Sequence, residues 1–357
     1  MPNNITGNKG EWSEIYVLLR LLSTGRIYAA DENLQKIEEM YFPILKIIRE
    51  EIKSKKYEYA IQNKIEIYFN DTLVKEVPIK RFEQEADYLY SQILTGTNRA
   101  FSVEHTESFM HEIYCEKLAA PSTDKTDITM QIHDIQTGYA PICGFSIKSE
   151  IGNAPTLINA TGATNFIFEV TGLSNEQINS INSINTRTKI KDRMERIFNE
   201  ANTIEFVKVN STTFNRNLML IDSKLTELVA HSLIYHYRDG INDCSEVIKK
   251  METDNPINFP TTGFYNFKFK KFLCSAALGL TPATTWDGVD EANGGYIIVT
   301  ASGNVLAYHI YNRNLFEEYL LKQTRFERGS TTRHNFASLY EENGKVYLNL
   351  NLQVRFK

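Results

Sequence analysis

The chain has 357 residues and 41.1 kDa, with 42% hydrophobic and 23% charged residues, enough to bury a full core and ordinary for a globular protein. No apolar run approaches the ~20 residues of a membrane span, and the segment from Met1 to Lys9 lacks a basic stretch followed by an apolar one, so neither a membrane protein nor a secreted one is expected. A net charge of −5 and a pI near 5.9 do not advertise a nucleic-acid binder, yet binding needs only a local basic surface, and from Ile257 to Lys357 positive residues outnumber negative ones.

Gly10-Glu11-Trp12-Ser13 opens a helix in which Ile15, Leu18, Leu19 and Leu22 recur at helical spacing, and Gly25 closes it. A second helix is predicted from Asn33 to Lys55, with Pro43 as a break or fresh start. Lys64 to Phe69 reads as a strand with Asn70-Asp71 as its turn; Ile79 to Leu94 and Ser108 to Leu118 read as helices. Further strands are expected at Asn165–Val170, Gly295–Val299, Val305–Ile310 and Val346–Phe356, and helices at Lys189–Asn199, Leu218–Tyr237 and Leu315–Leu321. Ser302-Gly303-Asn304 supplies a hairpin turn. The order is helices, a mixed sheet, then a β-rich region, which is α/β or α+β in class. It divides into a helical and catalytic core over residues 1–256 and a β-rich region over 257–357 contributing DNA recognition, or the two form one intertwined domain.

The chemistry sits in two alternating stretches, Thr126 to Ile132 and Gly144 to Ser149. Period-two alternation marks half-buried strands. Gln136-Thr137-Gly138 between them is a turn signal, so the pair forms a hairpin. Ile128, Met130 and Ile132 point one way and Asp127 and Thr129 the other; Phe145 and Ile147 are buried when Ser146 and Lys148 are presented. Asp127 and Lys148 then share one patch. A carboxylate able to hold a divalent cation, beside a lysine able to steer a water, is the minimal kit for phosphodiester hydrolysis. Asp127 is the candidate ligand for Mg²⁺, the Ile147 carbonyl a second oxygen ligand, and Lys148 the group that orients water and opposes developing charge. Taken alone, an Asp and a Lys on facing strands are more often a surface ion pair of little worth. Cys115, Cys143, Cys244 and Cys274 form no CxxC pair and no zinc-spaced cluster, which fits reduced thiols in the cytoplasm. The seven histidines make no metal or HNH pattern, and His309 on a patterned strand reads as structural.

Asp127 followed on a second strand by Ser146-Ile147-Lys148 resembles the PD-(D/E)xK nuclease core. Gly7-Asn8-Lys9-Gly10-Glu11-Trp12-Ser13-Glu14, Ser146 to Ser149, Thr164-Asn165-Phe166, Lys271-Phe272-Leu273, Ala277 to Pro282, Trp286-Asp287-Gly288 and Asn349 to Phe356 together resemble the HpaII family of type II restriction endonucleases. The resemblance implies a restriction-endonuclease-like mixed β-sheet flanked by helices, with an appended β-rich C-terminal DNA-recognition region. It also implies Mg²⁺-dependent cutting of double-stranded DNA at CCGG after the first cytosine, blocked by methylation within the site, so that a cognate DNA methyltransferase protects the host. A palindromic target invites a two-fold dimer, although a monomer cutting strands in turn is compatible with it.

Ser146 departs from the pattern, because such cores usually carry a carboxylate two residues before the lysine. Glu14, one turn into the first helix, is the best substitute, since similar nucleases often bring a carboxylate from an N-terminal helix. Its alternative role is to complement the helix dipole, as Glu11 can. Glu150, which shares strand parity with Ser146 and Lys148, is the second candidate and Glu169 the third.

Reading a G·C-rich site calls for arginine or lysine on guanine. The segment with Arg325, Arg328, Arg333, His334 and Asn335 supplies donors at high density and is expected as an exposed loop, Arg328 or Arg333 being bidentate to a guanine. Lys268, Lys270 and Lys271 interleave with phenylalanines and are candidates for phosphate contact, as is the run from Arg187 to Arg193; Arg313 lies nearby in sequence. Two other classes remain: a repair nuclease on the same core, which cuts by DNA structure, and a silent DNA-binding protein, favoured only by Ser146.

Overall fold

The computed structural model describes residues 5–51, 55–119, 126–135, 138–309 and 312–357. Gln136 and Thr137 of the expected hairpin turn lie outside them. In chain order the elements are α1 (Lys9–Thr24), β1 (Arg26–Ala30), β2 (Lys36–Glu50), β3 (Lys56–Ile61), β4 (Ile65–Phe69), β5 (Thr72–Val77), α2 (Ile79–Thr95), α3 (Glu104–Glu112), β6 (Ile128–Ile132) and β7 (Ile142–Ser149). Next come β8 (Thr156–Ile158), β9 (Asn165–Thr171), α4 (Asn175–Ser183), α5 (Lys189–Glu200), β10 (Thr203–Val209), α6 (Thr212–Ile221), α7 (Leu225–Asp239), α8 (Cys244–Asp254) and α9 (Phe264–Leu278). The chain ends with β11 (Gly295–Val299), β12 (Val305–His309), α10 (Arg313–Gln323), β13 (Thr324–Phe326), α11 (Thr331–His334), β14 (Leu339–Glu342), β15 (Lys345–Asn351) and β16 (Val354–Phe356). No helix among the described residues is long and apolar enough to cross a membrane.

Two compact units form, Met1–Pro155 with Asp290–Tyr319, and Thr156–Val289 with Leu320–Lys357. The units therefore do not part at residue 256, which lies between α8 and α9 inside the second. The expected β-rich region is shared out instead: β11 and β12 return to the sheet of the first unit, while β13 to β16 build the second.

The sheet of the first unit runs β1-β12-β11-β7-β6-β2-β3-β4-β5, and β1 also pairs with β2, so six strands close into a ring. β11 lies parallel to β7 and β12 parallel to β1; the other pairings are antiparallel. Asn8 caps α1, accepting from the Gly10 and Glu11 amides while the Glu11 carboxylate accepts from the Asn8 amide at 2.7 Å. Glu11 thus serves as a cap. Trp12, Ile15, Tyr16, Leu18, Leu19 and Leu22 are all buried, which makes α1 a core helix. It packs with Phe145, Ile147, Ile297 and Val299 in one hydrophobic cluster.

The predicted helix at Asn33–Lys55 is instead the long strand β2. A bulge between Ile44 and Lys46 shifts its register against β6, so buried Ile44, Ile47 and Ile48 recur at i, i+3 and i+4 and imitate helical spacing. Pro43 stands opposite Arg26 of β1, its carbonyl accepting from the His133 amide at 2.8 Å. The helix predicted at Ser108–Leu118 runs earlier, as α3, because Tyr114 adopts φ 61° and turns the chain.

In the second unit, the sheet β10-β9-β15-β14 and the small sheet β13-β16-β8 are both antiparallel. The single helix predicted at Leu218–Tyr237 is two, α6 and α7, broken where the Asp222 carboxylate accepts from the Lys224 amide at 2.8 Å. The strand predicted at Val346–Phe356 is also two. Leu352 leaves β15 to donate its amide to the Thr164 carbonyl at 2.9 Å, and β16 joins the other sheet.

Candidate active site

β6 and β7 form the expected hairpin, with Ile128 opposite Phe145 and Met130 opposite Cys143. Their alternation lays Phe145 and Ile147 against the α1 cluster and turns Ser146 and Lys148 to the other face. Asp127 stands just before β6, its amide donating to the Phe145 carbonyl at 2.9 Å. The Asp127 carboxylate is held through Oδ2, which accepts from the Ile147 amide at 2.6 Å and from Ser146 Oγ at 3.1 Å. Lys148 Nζ donates to Ser146 Oγ at 3.3 Å and lies 3.9 Å from Asp127 Oδ2. Ser146 is 2% exposed. It is therefore a buried hydroxyl bridging acid and base, where the sequence reading presented it to solvent.

One participant was missed. Parallel pairing of β11 with β7 puts Tyr296 beside Ser146 and Ile298 beside Lys148. The Tyr296 ring is fully buried, and Lys148 Nζ lies 5.8 Å from its centroid. Burial, then the Tyr319 phenol and the Asp127 carboxylate, hold the Tyr296 hydroxyl well above its usual pKa. The only signal in the sequence was the apolar run of β11; its partner strand lies more than a hundred residues earlier.

The candidate substitutes for an acid at position 146 fall on different faces. Ser13 Oγ donates to Ser149 Oγ at 2.9 Å, which ties the first turns of α1 to the face of β7 that carries Phe145 and Ile147. Glu14 follows Ser13 on that helix, half-buried, with Oε2 shut off from solvent. The Glu150 amide donates to the Val299 carbonyl at 2.9 Å and continues the strand, so Glu150 keeps the parity of Ser146 and Lys148. Its side chain reaches the surface, yet desolvation by surrounding protein raises its pKa, against the lowering effect of a hydrogen bond from the Ala301 backbone. Glu169 belongs to the second unit, on β9, paired with Lys345 at 2.9 Å.

No group of three His, Cys, Asp or Glu side chains among the described residues converges as a ready metal cage. A site with few protein ligands does fit. In an extended strand one residue's amide and carbonyl face the same edge, so the Ile147 carbonyl faces the Asp127 side as its amide does. Asp127 Oδ1 receives no donor among the described residues. Those two oxygens suit Mg²⁺, which keeps several waters and needs few carboxylates.

The residues proposed for DNA contact separate. Arg313 lies in the first unit, 3.2 Å from Asp290 and 3.6 Å from Glu317. The rest lie in the second. Lys268, on α9, is committed to an ion pair with Asp222 and is little exposed, with Phe259 and Phe264 rings against its ammonium. Lys270 and Lys271 share the helix, Lys271 resting on the Phe267 ring at 5.1 Å. The expected exposed loop is largely structured: Arg325 is in β13, Arg333 and His334 are in α11, and Asn335 ends α11 with φ 56°. Arg333 and Asn335 are exposed, whereas Arg325, Arg328 and His334 are half-buried. In the run from Arg187 to Arg193, Arg193 is used internally, donating to the Ile184, Asn182 and Ala337 carbonyls.

Two quoted segments prove structural. Buried Asn351 donates to the Thr161 carbonyl at 2.8 Å and to Asn165 Oδ1 at 2.7 Å, and Asn165 in turn donates to the His334 carbonyl at 2.8 Å. This polar network ties β9 and β15 to α11.

A family model described as HpaII restriction endonuclease matches residues 8–356. The chain belongs to the HpaII restriction endonuclease family. It is 39% identical over 364 residues to the type II restriction enzyme HpaII of Haemophilus parainfluenzae, covering 100% of both chains. No solved structure matches it significantly. As a member of this family it is a type II site-specific deoxyribonuclease, a hydrolase of restriction–modification systems that acts on DNA.

Proposed function

We propose that the chain hydrolyses double-stranded DNA at CCGG in a Mg²⁺-dependent reaction centred on Asp127, Ser146 and Lys148. The observation that carries this reading is the bonded constellation itself: one carboxylate oxygen held by the Ile147 amide and the Ser146 hydroxyl, with the Lys148 ammonium 3.9 Å away. Asp127 Oδ1 and the Ile147 carbonyl would hold the cation, with Glu14 or Glu150 as the further carboxylate. Held by these residues, Mg²⁺ would supply Lewis acidity to the scissile phosphate and to a water. Lys148 orients the attacking water and opposes the charge gathering on the phosphorane oxygens. Ser146 keeps the lysine beside the carboxylate. Arg333, His334 and Asn335, with Arg325, are the proposed readers of the site, Lys270 and Lys271 its phosphate contacts. A cognate methyltransferase protecting the same sequence and a two-fold dimer on a palindrome complete the reading.

The test is incubation with unmethylated plasmid and Mg²⁺, followed by sequencing of the product ends. Ends opened within CCGG, lost with Asp127→Asn and on methylation of the site, are expected. Cutting directed by nicks or ends, or no cutting with Mg²⁺ present, would overturn it.

A further inference from the structure

In the second unit, a cavity of about 910 Å³ is lined by residues of α5, the end of α7 and β13, among them Lys191, Tyr237, Arg238, Asp239 and Arg328. Lys191 and Glu195 of α5 both line it, and four of its other five charged groups are paired in place. Arg238 is bidentate to Asp239 at 2.7 and 3.0 Å. Glu327 is shared by Arg355 at 3.0 Å and Arg325 at 3.7 Å. Arg328 differs. No carboxylate among the described residues pairs with it; Nη2 makes one long contact, 3.4 Å, to the His236 carbonyl, and Nε is buried with no acceptor. Its guanidinium lies 5.3 Å from the centroid of the buried Tyr237 ring, and burial lowers its pKa. A half-buried cation without a counter-charge is costly in the free protein. A bound anion offsets that cost.

The recess decides which anion. Base edges lie at the floor of a groove, so their readers must protrude. A guanidinium inside a cavity meets only what projects from the duplex, and that is the sugar–phosphate backbone. We propose that the Arg328 cavity is a receptor for one backbone phosphodiester of the DNA, a contact that positions the duplex and carries no sequence information. This replaces the expectation that Arg328 reads a guanine. It rests on the family's action on DNA but not on the identity of the cut site.

The test compares Arg328→Met, which keeps an aliphatic stem, and Arg328→Lys, which keeps the charge. Binding is measured without divalent metal to a duplex carrying the sequence found at the plasmid ends and to a scrambled duplex, over a range of salt. With Arg328→Met, both duplexes should bind more weakly by the same factor. The slope of log affinity against log salt should flatten by about one, so that a fourfold rise in salt costs the wild type about fourfold more affinity than the variant. Arg328→Lys should keep the wild-type slope. An unchanged slope in Arg328→Met, or a loss confined to the cognate duplex, overturns the assignment. So does a wild-type melting midpoint raised by millimolar inorganic phosphate with the DNA slope unaffected by Arg328→Met, which would make the cavity a free-phosphate site. Arg328→Gln provides the same comparison if the methionine form does not fold. Plasmid cutting by the wild type reports separately on the catalytic reading.

Discussion

Ser146 Oγ takes a proton donor from one side, Lys148 Nζ at 3.3 Å, and gives its own hydrogen to Asp127 Oδ2 at 3.1 Å. An acid at this position would compete with Asp127 for the lysine; a hydroxyl passes the interaction on. Ser146→Ala removes the bridge while leaving charge in place, so single-turnover cleavage should slow by about tenfold, the worth of one hydrogen bond to charged groups, with DNA affinity unchanged. Lys148→Ala should cost about 10²–10³-fold in the same assay. A further tenfold loss when Ser146→Ala is added to Lys148→Ala would show that the serine acts otherwise than through the lysine. A second residue sets acid stability. Burial pushes His236 down to about 4, against the weaker raising effect of its hydrogen bond to the Ile241 carbonyl. The unfolded chain binds a proton near the ordinary pKa of about 6.5 while the folded chain does not. Stability is therefore whole above that value and falls as pH drops from 6.5 to 4, by on the order of 3 kcal/mol. Denaturant midpoints at stepped pH should show the decline, and His236→Gln should flatten it. The hairpin residues were legible because alternation is local. Ser146's burial was not, since Tyr296 comes from a distant strand to cover it.

At the scale of elements, the junction of β6, β7 and β11 has no spare room. The Gly294 amide donates to the Gly144 carbonyl at 2.7 Å, and a Cβ on Gly294 would meet Phe145 Cε2 at 2.5 Å and Cys143 Cβ at 2.7 Å. Gly294→Ala should destabilise the fold by about 1–3 kcal/mol through overpacking, read as a lower melting midpoint. Gly162→Ala, whose Cβ enters open space, is the neutral comparison. Elements were legible where one period ran uninterrupted, as in α1, α2, β4 and the β11–β12 hairpin. β2 was not, because its bulge puts Ile44, Ile47 and Ile48 on a helical stride. The break between α6 and α7 was hidden for a similar reason: an Asp-Ser-Lys turn is too short to interrupt the apolar period on either side.

The whole molecule is not two consecutive halves. The chain passes from one unit to the other after Pro155, Val289 and Tyr319. Hydrophobic pattern reveals strands but not which of them pair across long separations, so a division at residue 256 was the natural reading of a composition shift and not of a fold. A fragment of residues 1–256 lacks β11 and β12, leaving β1 and β7 with unpaired edges and Lys148 without Tyr296. It should aggregate or show no cooperative unfolding by circular dichroism, and a sharp thermal transition in that fragment would refute the dependence on the returning strands.

The ring closed by β1 with β12 and β2 has a temporal consequence. On the ribosome, the β6–β7 hairpin emerges with Asp127 and Lys148 long before β11 and β12, and the entire stretch from Thr156 to Val289 is made in between. A nascent chain holds the β6–β7 hairpin with one flank bare until synthesis is more than four-fifths complete. A translation product that stops before β11 therefore lacks the strand that pairs beside Ser146, so the candidate centre is finished only when more than four-fifths of the polypeptide has been made.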